Sequence, residues 1–210
     1  MMGLLKAVSM RCARRALAGL LLLALAAWPS VAAEEATSFL VGRLLVATPA
    51  LKDSFFDRTV IYLVEHNEDG AFGLIVNRAL GDIGVEPLFE RLGLDTSDAE
   101  GRVRAHIGGP VEPGAAFVLH RDEGDNPEST TLFAGLAMTT DPAILKRIGR
   151  GEVPGGYLFA FGFSGWAPGQ LESEIERGSW IDVPAEDSFL FDENDEAKWQ
   201  TAIDRYSVDL

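Results

Sequence analysis

Three histidines and one serine set between glycines are the residues of this 210-residue chain whose types could do chemistry. Gly162-Phe163-Ser164-Gly165-Trp166 stands between a strand-like and a helix-like run, the setting of a hydrolase nucleophile elbow. That turn needs glycine two positions after the serine, and Trp166 stands there instead. No histidine follows either, because His120 is the last. The elbow fails. Glu65-His66-Asn67-Glu68-Asp69-Gly70 imitates the opening of a calcium loop, but the twelfth position is Val76 rather than a bidentate glutamate. A hairpin turn fits it better. Gly149, Gly151 and Pro154 miss the dinucleotide pattern at its third glycine, and no Gly-Lys-Ser/Thr triplet is present for a phosphate loop.

His66, His106 and His120 could in principle gather on a metal, yet no two share the i, i+4 spacing of a helix face. Strand-end histidines hydrogen-bonded to backbone are the preferred reading, and neither a metal nor a cofactor is expected. Glu172, Glu174 and Glu176 lie in one helical stretch, where Gln170 and Glu174 share a face opposite Leu171 and Ile175. A solvated face is preferred there. Lys146, Arg147 and Arg150 are the one basic cluster beyond residue 33. They fall in the last turn of a helix, where cations meet its negative end without any need of DNA.

The first 33 residues read as a secretory leader. Lys6, Arg11, Arg14 and Arg15 precede an apolar run over residues 16–28, too short for a comfortable bilayer span, and Pro29 then ends it. Small residues follow, so cleavage after Ala32 or Ala33 is expected, leaving no membrane span and an exported, periplasmic protein. Without the leader the chain has 14 basic and 32 acidic residues, a net charge of −18 against −14 for the whole. Cys12, the one cysteine, leaves with it. A cysteine-free chain suits an oxidising compartment. Strong negative charge argues against nucleic acid as a partner.

Residues 34–210 read as a single α/β domain. Strand-like runs cover 39–48, 58–65 and 71–77, the last two joined by an Asp-Gly turn into a hairpin. Residues 85–92 carry Val85, Leu88, Phe89 and Leu92 at helical spacing, and Gly93 ends them. Strands are expected at 102–107, 115–120, 130–138 and 156–163, with Gly108-Gly109-Pro110 a tight feature between the first two. Asp141 caps a short helix through Ile144, Leu145 and Ile148, with Pro142 at its start. A helix over 168–177 turns Leu171 and Ile175 inward and stops at Gly178. The last helix starts near Asn194 and buries Trp199, Ile203 and Tyr206. The stretch 122–128 is a surface loop. About eight strands and three or four helices should share one core, in a mixed sheet rather than a doubly wound one.

Those residues, taken in order, resemble the YqgE/AlgH family. The resemblance rests on Leu44-Leu45-Val46-Ala47-Thr48-Pro49, on Phe55-Phe56-Asp57-Arg58-Thr59-Val60, and on the run from Glu65-His66-Asn67-Glu68-Asp69-Gly70 to Val76-Asn77. It continues through Gly108-Gly109-Pro110-Val111, Phe117-Val118-Leu119-His120 and Gly165-Trp166-Ala167-Pro168-Gly169-Gln170-Leu171-Glu172-Ser173-Glu174-Ile175, and ends at Trp180 and Phe191-Asp192. It implies an α/β fold in which a mixed, bifurcated sheet folds into a pseudo-barrel with packed helices. It implies no established activity. One branch takes its name from a proposed role as a transcriptional regulator of alginate production. The chain departs from the usual member in its leader, since most members are leaderless and cytoplasmic, and in Arg78-Ala79 where Lys-Pro is commoner.

Three functions stay open. The first is a non-enzymatic binding or regulatory module for an unknown protein or small molecule, able to self-associate as a homo-oligomer. The second is an enzyme whose site uses Glu65, His66, His120 or Glu174. The third is a transcriptional regulator, disfavoured by leader and acidity. The binding reading is preferred because no nucleophile with a base, ligand set or cofactor loop is found. Its candidate surface joins Glu65, His66, Asn77, Gly108, Gly109, Pro110, His120, Gly165, Trp166, Gln170 and Glu174. Glycines there allow close backbone approach, and Trp166 supplies a ring face.

Overall fold

Residues 39–122, 124, 128–153 and 156–206 are described in the structure, a computed structural model of the chain. The expected leader, and residues 123 and 125–127 of the expected loop, lie outside them. Among the described residues the strands are β1 (Arg43–Ala47), β2 (Val60–Asn67), β3 (Gly70–Ile75), β4 (Ala79–Gly84), β5 (Arg102–Ile107), β6 (Val111–Arg121), β7 (Thr130–Thr131), β8 (Leu136–Thr139), β9 (Tyr157–Trp166) and β10 (Trp180–Pro184). The helices are α1 (Val85–Leu92), α2 (Ala143–Gly149), α3 (Gln170–Glu176), α4 (Asp187–Leu190) and α5 (Asp195–Tyr206). Ten strands and five helices thus replace the eight and the three or four expected. The additions are short or lack an apolar pattern: β4 begins with four exposed residues, and α4 has four in all.

All ten strands join one sheet in the order β10-β1-β2-β3-β9-β6-β8-β7, with β5 added beside β9 and β4 beside β5. β9 is where the sheet divides. Ser164, Gly165 and Trp166 pair with β3, while Phe159, Ala160 and Phe161 pair in parallel with β5 along the same edge. The opposite edge of β9 holds β6. The mixed sheet curls into a half-barrel, as the bifurcated pseudo-barrel reading expected.

Glycine makes the division possible. Gly162 has φ +68°, and a Cβ on Gly109 would overlap the backbone of Phe163 and Ser164. The neighbouring Gly108 receives the Ile75 N–H on its carbonyl at 2.9 Å and gives its own N–H to Phe161 O at 2.7 Å. Three chain segments therefore meet at backbone distance, which a side chain would prevent. The run expected as one strand over 130–138 breaks for a related reason. A 3-10 turn at Phe133–Gly135 interrupts it, with Ala134 at φ 59° and Gly135 at φ 73°. The strand expected from residue 39 starts only at Arg43, after Gly42 at φ 78°.

Apolar side chains alternate across the strands and bury into three groups. Leu44, Val46, Tyr62, Leu74, Leu119 and Leu158 face the inside of the curl, where Leu190 of α4 and Ala202 of α5 close it. Helices α1 and α2 cover Val103, Val118 and Phe159. α3 covers Leu45, Ile61, Leu63 and Ile75. α1 follows its periodicity at Val85, Leu88 and Phe89, which are buried, but not at Leu92, which is exposed; Gly93 ends it in the left-handed conformation.

Candidate functional site

α3 turns its glutamates toward the fold rather than away from it. Glu174 Oε2 accepts hydrogen bonds from Trp166 Nε1 at 2.9 Å and from Trp180 Nε1 at 2.8 Å. Its Oε1 accepts from Gln170 Nε2 at 2.9 Å, and Gln170 Oε1 accepts from the Ala167 N–H at 3.1 Å. The two indoles meet edge to face at 6.0 Å, both buried. The solvated face expected here is therefore corrected: Glu174 is half-buried and holds two indole N–H groups that would otherwise be unpaired. Spacing along α3 could not show this, because Trp180 comes from the next strand.

His66 lies on the same side. The Leu40 N–H donates to its Nδ1 at 3.0 Å, so that nitrogen carries no proton, and Nε2–H donates to Glu172 Oε1 at 2.8 Å. Burial pushes the Glu172 carboxyl up, but its own backbone N–H and the His66 ring outweigh that and hold it below the usual range. Phe39 meets the His66 ring edge-on. Glu65 is exposed and accepts from Asn67 Nδ2 at 2.6 Å. Gly165 is exposed opposite Phe72. The structure thus brings His66, Trp166, Gln170 and Glu174 together, with Glu65 and Gly165 on the flanking strands.

The other candidates stand elsewhere. Asn77 clamps two strands: Oδ1 accepts the Val60 N–H and Nδ2 donates to Arg58 O, both at 2.9 Å. Gly108 and Gly109 are buried at the division of the sheet, and Pro110 is exposed beside them. His120 sits on β6, beyond β9. Its Nδ1–H donates to Arg121 O at 2.6 Å, and Ser129 Oγ donates to Nε2 at 2.9 Å. A hydroxyl held on a histidine nitrogen is half of a nucleophile site. Neither the cavity between α1, α2, β6 and β9 nor the one at the start of α5 has His120 or Ser129 in its lining. All three histidines bond backbone, as read from the sequence.

One cluster escaped the sequence reading. Asp195, Lys198 and His106 are each about 95% buried or more. Asp195 Oδ2 accepts from Arg104 Nε at 3.1 Å and Nη2 at 2.6 Å and faces His106 Nε2 at 3.2 Å; Oδ1 accepts from Lys198 Nζ at 3.0 Å. Lys198 gives its other two hydrogens to Val76 O at 2.9 Å and Leu190 O at 3.1 Å. Burial pushes the Asp195 carboxyl up, yet His106, Arg104 and Lys198 together hold it well below the carboxylate range. Burial pulls Lys198 down, opposed by Asp195. One signal was available: Asp195, Lys198 and Ala202 share one helical stripe, so Lys198 falls on an inward position. The cluster is saturated, and it locks α5 to β5. No group of three or more possible metal ligands is assembled among the described residues.

Two cavities stay open, one apolar and one charged. A cavity of about 420 Å³ lies between α1, α2, β6 and β9, lined by Leu88, Leu92, Ala116, Leu145, Phe159, Phe161 and their neighbours. Leu92 and the adjacent Leu94 are 53% and 37% exposed at its rim, large apolar side chains left in water. A second cavity of about 470 Å³, at Asn77, Arg78, Arg104 and the start of α5, mixes three carboxylates with two arginines.

A family profile described as AlgH-like matches residues 44–210. A UPF0301 protein of Gluconobacter oxydans is 45% identical over 166 residues, covering 78% of this chain and 89% of the relative. Another from Shewanella oneidensis is 42% identical over 167 residues, with the same coverages of 78% and 89%. The solution structure of the AlgH protein from Pseudomonas aeruginosa matches with a TM-score of 0.67 at 35% identity, over 80% of this chain and 89% of that one. A crystal structure of a Corynebacterium diphtheriae protein matches with a TM-score of 0.61 at 26% identity, over 78% and 85%.

Proposed function

This chain belongs to the AlgH-like family, and we propose that it is a non-enzymatic binding module whose ligand, a small molecule with an apolar body, enters the cavity between α1, α2, β6 and β9. One contrast carries the reading. The polar candidates on the α3 side, and His106 and Asp195, spend their hydrogen bonds on internal partners, whereas the cavity turns leucine and phenylalanine side chains toward open space. A volume of about 420 Å³ suits a small molecule. Titration of the full chain with an environment-sensitive naphthylamine dye tests this: saturable binding, displaced by octanol, is expected. Ala116→Trp should fill the cavity and abolish the signal with the circular dichroism spectrum retained. Leu92→Ser, at an exposed position, should weaken it without touching the core. Absence of saturable binding to the folded wild-type chain refutes the reading.

Two further readings belong to this proposal. The charge order of residues 1–33 supports export with cleavage near Ala32 or Ala33, and N-terminal sequencing of protein from the native host decides it; a chain still starting at Met1 overturns it. No described helix is long and apolar enough to cross a membrane. The acidity of the chain supports a partner other than DNA. Lys146, moreover, is engaged by Ser97 O and Asp95, and Arg150 by Glu152. Retention of genomic DNA fragments at nanomolar protein, lost on replacing Lys146, Arg147 and Arg150 by alanine, would refute this.

A further inference from the structure

We propose that the cavity selects a small amphipathic cation, an ammonium or guanidinium on an aliphatic or aromatic body, and that the Asp141 carboxylate makes the selection. The inference rests on the cavity being a ligand site. Asp141 is its one ionisable lining residue, set with Thr139 and Thr140 against an otherwise apolar wall. The carboxylate is held in place from both sides. Its Oδ1 accepts the Ala143 N–H at 2.9 Å, and its own backbone N–H donates to Thr139 Oγ1 at 3.0 Å. Thr139 is itself tied to Glu128 O at 3.0 Å. Oδ2 has no hydrogen bond or ion pair among the described residues.

Among the described residues no ion pair forms on Asp141. Lys146, on the same helix, bonds Ser97 O, pairs with Asp95 at 3.6 Å and lies over the Phe89 ring. Arg150 is held by both oxygens of Glu152. A neutral apolar ligand filling the cavity would strip water from an unpaired carboxylate, which is unfavourable, and an anion would add repulsion. A cation relieves both. The cavity wall adds a second partner for a positive group, the partly buried Phe161 ring, which meets the buried Phe159 ring edge to face at 4.9 Å. The net charge of −14 raises the local concentration of any cationic ligand over the whole surface.

Three probes of equal length, octylammonium, octanol and octanoate, competed against the dye on the full chain, separate the possibilities. The wild-type chain should prefer octylammonium to octanoate by about tenfold or more, the scale of one partly buried ion pair. Asp141→Asn keeps an oxygen for the Ala143 N–H and removes the charge, so the preference should fall to near unity with octanol binding unchanged. Asp141→Ser, a second residue able to cap a helix, should do the same. Equal binding of ammonium and carboxylate by the wild type, or an undiminished preference in the folded Asp141→Asn variant, overturns the inference while leaving the cavity reading intact. If octanol also fails to displace the dye, or the dye does not bind, it is the cavity reading that has failed.

Discussion

Replacing Asp195 by alanine should destabilise the fold more than any other single change in the polar network. The carboxylate receives Arg104, Lys198 and His106, and its loss leaves the Lys198 ammonium 3% exposed with two carbonyls and no ion pair, Asp192 acting on it only from a distance. Arg104 has an escape, because its side chain is 35% exposed and can turn to water; Lys198 has none. Removing one partner of a buried pair costs about 3–5 kcal/mol, against a total stability of about 5–15 kcal/mol for a domain. Asp195→Ala with Lys198→Met removes the stranded charge, and only Val76 O and Leu190 O then lose a donor. The double variant should therefore be no less stable than Asp195→Ala alone, with a coupling of about 1–3 kcal/mol. Urea unfolding followed by tryptophan fluorescence and circular dichroism measures both, at constant slope. The pH dependence has a definite sign. The folded carboxyl titrates below its unfolded value of about 3.9, so its stabilisation is complete above that value and fades as pH falls through the depressed one. The stability gap between wild type and Asp195→Asn should narrow on acidification below about pH 4. A cost under about 1 kcal/mol for Asp195→Ala, or strictly additive variants, would refute the account of the cluster.

Two further outcomes follow from the geometry of α3 and of the sheet division. Glu174→Ala leaves the N–H groups of Trp166 and Trp180 without an acceptor and should cost about 2–4 kcal/mol in urea unfolding, with Glu174→Gln, which keeps one acceptor oxygen, costing less. Equal effects would show that the carboxylate is not the shared acceptor. Gly109→Ala drives a methyl group into the backbone of Phe163 and Ser164 and should abolish cooperative thermal unfolding or lower the midpoint by well over 10 °C, about what a loss of several kcal/mol implies. A variant that melts like the wild type would mean that β9 and the Gly109 segment can part freely.

Local rules made much of the fold legible. The period of Val85, Leu88 and Phe89 with Gly93 behind it defines α1 to the residue, and the Asp69-Gly70 turn joins β2 to β3. The start of α2 was readable to within a residue: the helix begins at Ala143 with Pro142 at the cap position, one place later than expected, and the Asp141 carboxylate holds the Ala143 N–H. The order of motifs placed the chain in its family, and the family brought the divided sheet with it. These features depend on neighbours within about one helical turn or one hairpin, where sequence spacing and spatial distance agree.

Elsewhere the two part company. β4 carries no apolar alternation because its first four residues are exposed, and only pairing with β5 makes it a strand. Glu174 looks solvated along α3 until β10 brings Trp180 beside it. Lys198 reads as an ordinary helix lysine until His106 and Arg104, some ninety positions earlier, meet Asp195 one turn before it. Asp141 reads as a cap until α1, β6 and β9 wall a cavity beside it. Residue type and local spacing determine which groups need a partner; the register of distant strands decides which partner arrives, and where none does. Burial turns that difference into energy, since an unpaired polar group costs little in water and several kcal/mol out of it.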